Sequence, residues 1–295
     1  MEMIHVKTPL KNPFNGGFTR VGDRLLVVAR SDESKLASFF VNDRYEILED
    51  SVRHLGLNNN IDPRPFVYLG QAFMSTSYYW MEKGGYRDRI ELWPLLVLGN
   101  EVIPVHSQRI AFDHIEGVGS VGAREKNWVP WVLGDDLLYT YGVQPHRVLR
   151  VDLKRRSVKL ASQSAWRYRH WEERWGDHFR GSTPPVRLDS GEYLTTFHTT
   201  RLGDKGCLYY TGFMTFEPTP PFKVTRISQS PVIGPEHASV GSFRRNQHMM
   251  CVFCQSLDLV GDRLRVMGGD NDVEVAVIHL SLADVLSRMV PVDDW

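Results

Sequence analysis

The sequence predicts an all-β protein, a single five-bladed β-propeller domain over residues 1–295. Three observations predict it: one hairpin pattern returns five times, the returns are nearly regular, and 3.6-residue apolar periodicity is scarce. The pattern is an apolar run, a glycine with a polar neighbour, then a second apolar or aromatic run. It occurs at Gly22-Asp23 before Leu25-Leu26-Val27-Val28, at Gly70-Gln71 before Ala72-Phe73, and at Gly134-Asp135-Asp136 before Leu137-Leu138-Tyr139. It returns at Gly191-Glu192 before Tyr193-Leu194 and at Gly261-Asp262 before Leu264. Glycine supplies the positive φ of a tight hairpin, and the flanks alternate as half-buried strands do. The five glycines lie 48, 64, 57 and 70 residues apart, the spacing of a four-stranded unit repeated around a ring. A β-sandwich would not bring back the same hairpin in this way. Residues 280–286 are expected to form a short helix or tail.

Composition narrows the function classes. Lys+Arg and Asp+Glu both number 35, giving zero formal charge, so a nucleic-acid or anionic-membrane partner is not expected. Hydrophobic residues at 42% with 24% charged are ordinary for a soluble globular chain. Eight Trp, eleven Tyr and fourteen Phe suit sheet cores first and sugar stacking second. Cys207, Cys251 and Cys254 are an odd, low count, as in a reducing compartment. Cys251-x-x-Cys254 has zinc-knuckle spacing but no second Cys/His pair, and it sits in an apolar run, so no metal is expected. Asp270-Asn271-Asp272 lacks the remaining ligands of a calcium loop. The first residues do not read as a signal peptide, and the apolar run 92–98 is too short to span a bilayer. A cytoplasmic protein without an organic cofactor is expected. Its oligomeric state is not legible, and a homo-oligomer is compatible with the chain.

The most informative stretch is Asp62-Pro63-Arg64, followed by Pro65. The prolines restrict Asp62 and Arg64 as well as themselves, so an extended, stiff turn should hold one carboxylate at the mouth of a strand. The same sequence also suits a plain Asx-turn in which Asp62 caps backbone N–H groups and pairs with Arg64. Other blades open with comparable polar groups. Asn15-Gly16-Gly17 precedes the first hairpin and Arg30 follows it. Glu125-Lys126-Asn127 runs into Trp128, and Arg180-Gly181-Ser182-Thr183 is followed by Phe197-His198 and Tyr210. Singly, Lys126 reads as a solvated charge and His198 as a satisfied interior histidine. Together they place one acid among several cations and donors (Arg30, Lys126, Asn127, Arg180, His198, Tyr210), a pocket suited to an anion, most simply phosphate.

These motifs, with Tyr210-Thr211-Gly212 and Gly269-Asp270-Asn271-Asp272, fall in the order found in glycoside hydrolase family 130, which the chain resembles from about Asn12 to Leu286. It departs from the family at Asn15-Gly16-Gly17, where Asn-Pro is usual, at Lys126, where the phosphorylases more often carry Arg, and at Cys254-Gln255-Ser256. The resemblance implies a five-bladed propeller that phosphorolyses β-mannosides with inversion, giving α-mannose 1-phosphate, or runs the reverse synthesis. It implies Asp62 as general acid, acting through the mannose 3-hydroxyl. Arg30, Lys126, Asn127, Arg180, His198 and Tyr210 would hold inorganic phosphate, the co-substrate, while Asn15, Arg64 and Asp272 would contact sugar. Trp128 and His146 are candidates for the acceptor side. An inverting hydrolase needs a second carboxylate to activate water, for which Glu125 and Asp270 are the nearest candidates. A mannosyltransferase using an activated donor, a β-mannosidase and a non-catalytic glycan-binding propeller are the alternatives.

Overall fold

The computed structural model describes residues 1–31, 35–120, 122, 125–203, 206–239 and 249–292. Five antiparallel-built sheets follow one another along the chain as the five blades of a propeller. Their innermost strands begin, in order, at Phe14–Val21, Asn60–Tyr68, Val129–Leu133, Arg180–Gly181 with Val186–Arg187, and Val252–Val260. Each is followed by a hairpin into the second strand at one of the five glycines anticipated from sequence. Those glycines have φ of 62° (Gly22), 77° (Gly70), 58° (Gly134), 89° (Gly191) and 61° (Gly261). Side chains other than Gly, Asn and Asp adopt this region at a cost, which is why the repeat is marked by glycine.

The interior is divided by the blades. Five clusters of buried apolar side chains each fill one seam between neighbouring sheets. Leu26 and Phe40 meet Met74 and Trp93 between blades I and II. Phe73 and Leu92 meet Trp128 and Tyr139 between II and III, and Trp131 and Val148 meet Phe197 and Phe216 between III and IV. Leu194 and Phe213 pack on Val266 and Ile278 between IV and V, and Met267 and Val277 on Val27 and Phe39 between V and I. Strand alternation produces this arrangement: successive side chains face opposite seams, so both faces of each middle strand are apolar.

The outer edges are closed by short strands from elsewhere. The outermost strand of blade V is the N-terminal strand Glu2–His5, antiparallel to Glu274–Ser281. Blade IV receives the C-terminal strand Met289–Pro291 on Val224–Ser228. Residues 282–287 form a short helix just before it, its first turn capped by the Ser281 side chain, as expected. Among the described residues, no helix is long and apolar enough to cross a membrane.

Trp131 shows how tightly a seam is filled: its ring lies 5.3 Å from Tyr193, 5.5 Å from Phe216 and 5.3 Å from Phe222. Trp131→Ala should therefore lower the unfolding free energy by about 3–5 kcal/mol, the range for removing a buried aromatic. Urea titration followed by circular dichroism checks this, and a loss below about 1 kcal/mol would mean that the seam collapses onto the gap.

Candidate functional site

All five inner strands begin at the same end of the ring, and those of blades I, II, IV and V are irregular there. Pairing shifts between Phe14 and Gly17 in blade I, between Ile61 and Arg64 in blade II, and between Cys254 and Ser256 in blade V. In blade IV the strand is broken between Gly181 and Val186. Four polar residues at these openings have left-handed backbones: Asn15 (φ 48°), Asp62 (54°), Asn127 (65°) and, on the blade V turn, Asp272 (53°). Asn and Asp are the non-glycine residues that tolerate this region, and the resulting bulges turn their side chains toward the axis. Asp62 thus avoids the right-handed helical region, as expected before proline, but it is left-handed rather than extended. Pro63 has no N–H to give the ladder, and the bulge forms there.

The bulges frame a cavity of about 430 Å3. Eight of the residues singled out from sequence line it: Asn15, Arg30, Asp62, Lys126, Asn127, Arg180, His198 and Asp272. The Asn15 amide donates to Asp62 Oδ1 at 3.3 Å, and Asp272 lines the same cavity. Burial pushes the Asp272 carboxyl above its usual range, and the neighbouring Asp62 charge adds to this, against the opposing pull of Arg30, Asn15 and Lys126. The placement of Asn15 depends on Gly269: a Cβ there would lie 2.0 Å from Asn15 Oδ1 and 2.8 Å from the Asn15 nitrogen.

On the opposite wall, Arg180 and His198 are cross-strand partners. His198 is buried, with Nδ1 2.8 Å from Ser182 Oγ. Burial, with the charges of Arg180, Arg64 and Lys126, holds its pKa well below the usual imidazole range, so the ring is neutral. Arg30 lies over the Phe14 ring at 4.5 Å. Among the described residues, three cations and two carboxylates line the cavity. The Oδ1 atoms of Asn15 and Asn127 are buried with no protein hydrogen-bond partner among those residues.

Four expected site residues lie elsewhere. Arg64 is beneath the cavity, 1% exposed. Its Nε donates to the Ser182 carbonyl at 3.0 Å and its Nη1 to the Asp62 carbonyl at 3.2 Å. The anticipated Asx-turn pairing of the Asp62 carboxylate with Arg64 is replaced by this backbone contact. Burial lowers the guanidinium pKa to about 10, still cationic at neutral pH. Trp128 is in the seam between blades II and III, stacked on Phe112 at 6.1 Å, with Nε1 donating to Glu125 Oε2 at 2.9 Å. His146 is fully buried between blades III and IV, 2.8 Å from the Phe222 carbonyl through Nδ1, and burial lowers its pKa to about 4. Neither residue lines the cavity. Tyr210 points into the seam between blades III and IV. Its neighbour Tyr209 lines the cavity instead and stacks on His198 at 5.5 Å.

Ile61, Thr200, Cys207, Tyr209, Cys251 and Phe253 also line the cavity, and the sequence reading named none of them for the site. Alternation was the available signal: if His198 faces the axis, so does Thr200, and Cys207 shares a face with Tyr209. The two carboxylates weighed as a hydrolytic base are already engaged. Glu125 accepts from the Gly122 N–H at 2.7 Å and from Trp128. Asp270 accepts from the Ser239 N–H at 2.9 Å, from the Ser239 hydroxyl, and from His5 Nε2 at 3.0 Å.

Both buried histidines give the fold a pH dependence. Their folded pKa values lie below the unfolded value of about 6.5, so the unfolded chain binds more protons as acid is added. Stability should be unaffected by them above pH 7 and fall as pH drops from about 6.5 toward 4, by up to about 1.4 kcal/mol per pH unit for each ring. Denaturant unfolding at pH 7, 6 and 5 checks this, and His146→Gln should flatten the slope.

No protein-family model matches the chain, and no curated protein is similar to it in sequence. Solved structures do match its fold. A protein from Parabacteroides distasonis described as a candidate glycoside hydrolase superposes with a TM-score of 0.65 at 14% identity, over 92% of this chain and 87% of its own. The GDP-Man-dependent mannosyltransferase of Leishmania mexicana gives 0.64 at 11% identity, over 95% and 89%. The β-1,2-mannobiose phosphorylase of Listeria innocua gives 0.59 at 13% identity, over 95% and 92%. At these identities the likeness establishes the five-bladed architecture alone.

Proposed function

We propose that the protein is an inverting glycoside phosphorylase acting on β-mannosides, with Asp62 as the proton donor. The observation that carries this reading is the composition of the central cavity: three cations and a neutral histidine share it with two carboxylates. Inorganic phosphate would sit among Arg30, Lys126 and Arg180, with Asn127 and Tyr209 as further polar neighbours. A neutral His198 that accepts the Ser182 hydroxyl proton on Nδ1 presents Nε2–H as a donor to that anion.

In this reaction a phosphate oxygen forms a bond to the anomeric carbon as the glycosidic C–O bond breaks. The electron pair goes to the leaving oxygen, which takes a proton relayed from Asp62 through the mannose 3-hydroxyl. The product is α-mannose 1-phosphate. Asn15 and Asp272 hold sugar hydroxyls beside Asp62.

The engagement of the other nearby carboxylates argues against inverting hydrolysis. An inverting hydrolase keeps its two carboxyl groups about 6.5–9.5 Å apart on opposite faces of the sugar. Asp272 is near enough to Asp62 to feel its charge, and Glu125 and Asp270 are committed elsewhere. Transfer from a nucleotide-activated mannose is the second reading, since the same cations would hold a diphosphate leaving group, and one structural relative is a GDP-Man-dependent transferase.

Incubating β-mannosides with and without phosphate should give mannose 1-phosphate only when phosphate is present. Equal turnover in both tubes would rule phosphorolysis out, and activity with GDP-mannose alone would select the transferase. Asp62→Asn should lower kcat by about 10²–10⁴-fold, the usual contribution of a positioned acid. Arg180→Ala should act chiefly on the KM for phosphate.

A further inference from the structure

A second cavity, of about 440 Å3, opens between blades III and IV. It is built by the turn at residues 143–145 and by the segment 165–179, which contains the helix Arg169–Trp175. Both connect strands at the end of the ring where the inner strands begin, so the two cavities open on one end of the propeller. Asp177 lines this rim cavity and Arg180 lines the central one. The Cα atoms of these two residues lie within about 11 Å of each other, so the two linings adjoin along the chain.

The rim cavity is rigid before any ligand arrives. Gln144 Nε2 donates to Glu172 Oε1 at 3.0 Å and to the Trp166 carbonyl at 3.4 Å. Arg167 Nε donates to both Glu172 oxygens, at 3.1 and 2.9 Å. The Trp166 indole is anchored by Nε1 to the Val143 carbonyl at 2.6 Å and packs edge-on to Phe179 at 5.2 Å. The exposed side chains of Gln163 and Asp177 complete the lining.

Its charge differs from that of the central cavity. One guanidinium, Arg167, faces two carboxylates, Glu172 and Asp177, with two amides beside them. Such a lining repels phosphate and other anions, whereas mixed donors and acceptors around an apolar wall suit a neutral polyhydroxyl ligand.

We propose that this rim cavity is a distal saccharide site, holding the chain of an oligosaccharide whose terminal mannoside lies in the central cavity. The inference rests on the reading of the central cavity as a glycoside site. Occupying both sites at once raises the effective concentration of the bound chain and favours long substrates over short ones.

The test compares a mannotetraose with the mannobiose of the same linkage, using the wild-type protein and the double variant Gln163→Ala/Asp177→Ala. Both substitutions fall on exposed side chains outside the central cavity. The variant should raise the KM for the tetraose about tenfold and leave that for the biose within twofold; equal effects on both would overturn the proposal. A binding arm separates this from the identity of the reaction. In Asp62→Asn protein, calorimetry should show the tetraose binding about tenfold tighter than the biose, and the rim variant should erase that preference. If no glycoside turns over but the preference behaves in this way, the rim site stands and phosphorolysis falls. If the tetraose has no advantage over the biose in the unsubstituted rim, the rim site falls whatever the reaction proves to be.

Discussion

Arg64 ties the site to the scaffold. Its guanidinium leaves blade II, passes under the cavity, and donates to backbone carbonyls of Asp62 in its own blade and Ser182 in blade IV. Ser182 in turn contacts His198 through its hydroxyl, so one buried cation sets the relative height of the acid and the imidazole. Both carbonyls would otherwise be buried polar groups, each costing roughly 1–3 kcal/mol if left without a partner. The same charge acts electrically, helping Arg180 and Lys126 to keep His198 neutral. Position and protonation state therefore share one source.

Around this strut the molecule divides its labour. The outer parts of the blades are regular ladders whose alternating side chains fill the seams. The inner strands are bulged, and left-handed Asn and Asp residues stand at the openings of three blades and on a fourth blade's turn. Irregular backbone at a functional centre is sustained when its surroundings over-determine it. Here Gln255 holds the Pro63 carbonyl at 3.2 Å, and Ser256 holds the Phe18 N–H at 2.8 Å. A Cβ on Gly17 would come within 2.7 Å of the Pro63 oxygen. Blades I, II and V thus brace one another where Asp62 and Asn15 meet.

The repeat was legible in the sequence because a positive φ at a tight hairpin leaves a chemical mark, glycine beside a polar residue. The short outer strands leave none. Glu2–His5 and Met289–Pro291 have four and three residues, too few for alternation to show. At the site, the residues on the axial bulges were legible as polar groups interrupting apolar runs. Trp128 and His146 lie close to those runs, yet their side chains turn into seams, and only the three-dimensional path of the strand reveals that. Tyr210 was one residue off because adjacent residues on a strand face opposite ways. The pairing of Asp272 with Asp62 joins residues far apart in sequence, and nothing local encodes it.

The outer edge of blade V has a consequence for how the chain reaches this state. Ile4 pairs with Val277 and His5 with Ala276, contacts that span all five blades of the sequence. Glu2–His5 precedes its partner strand by the length of four blades, so that edge stays unpaired until the fifth blade is made. Such non-local pairing brings loop-closure entropy late and slows folding. Because His5 also contacts Asp270, beside the turn that carries Asp272, the Asp272 wall of the cavity should be among the last parts of the protein to become rigid.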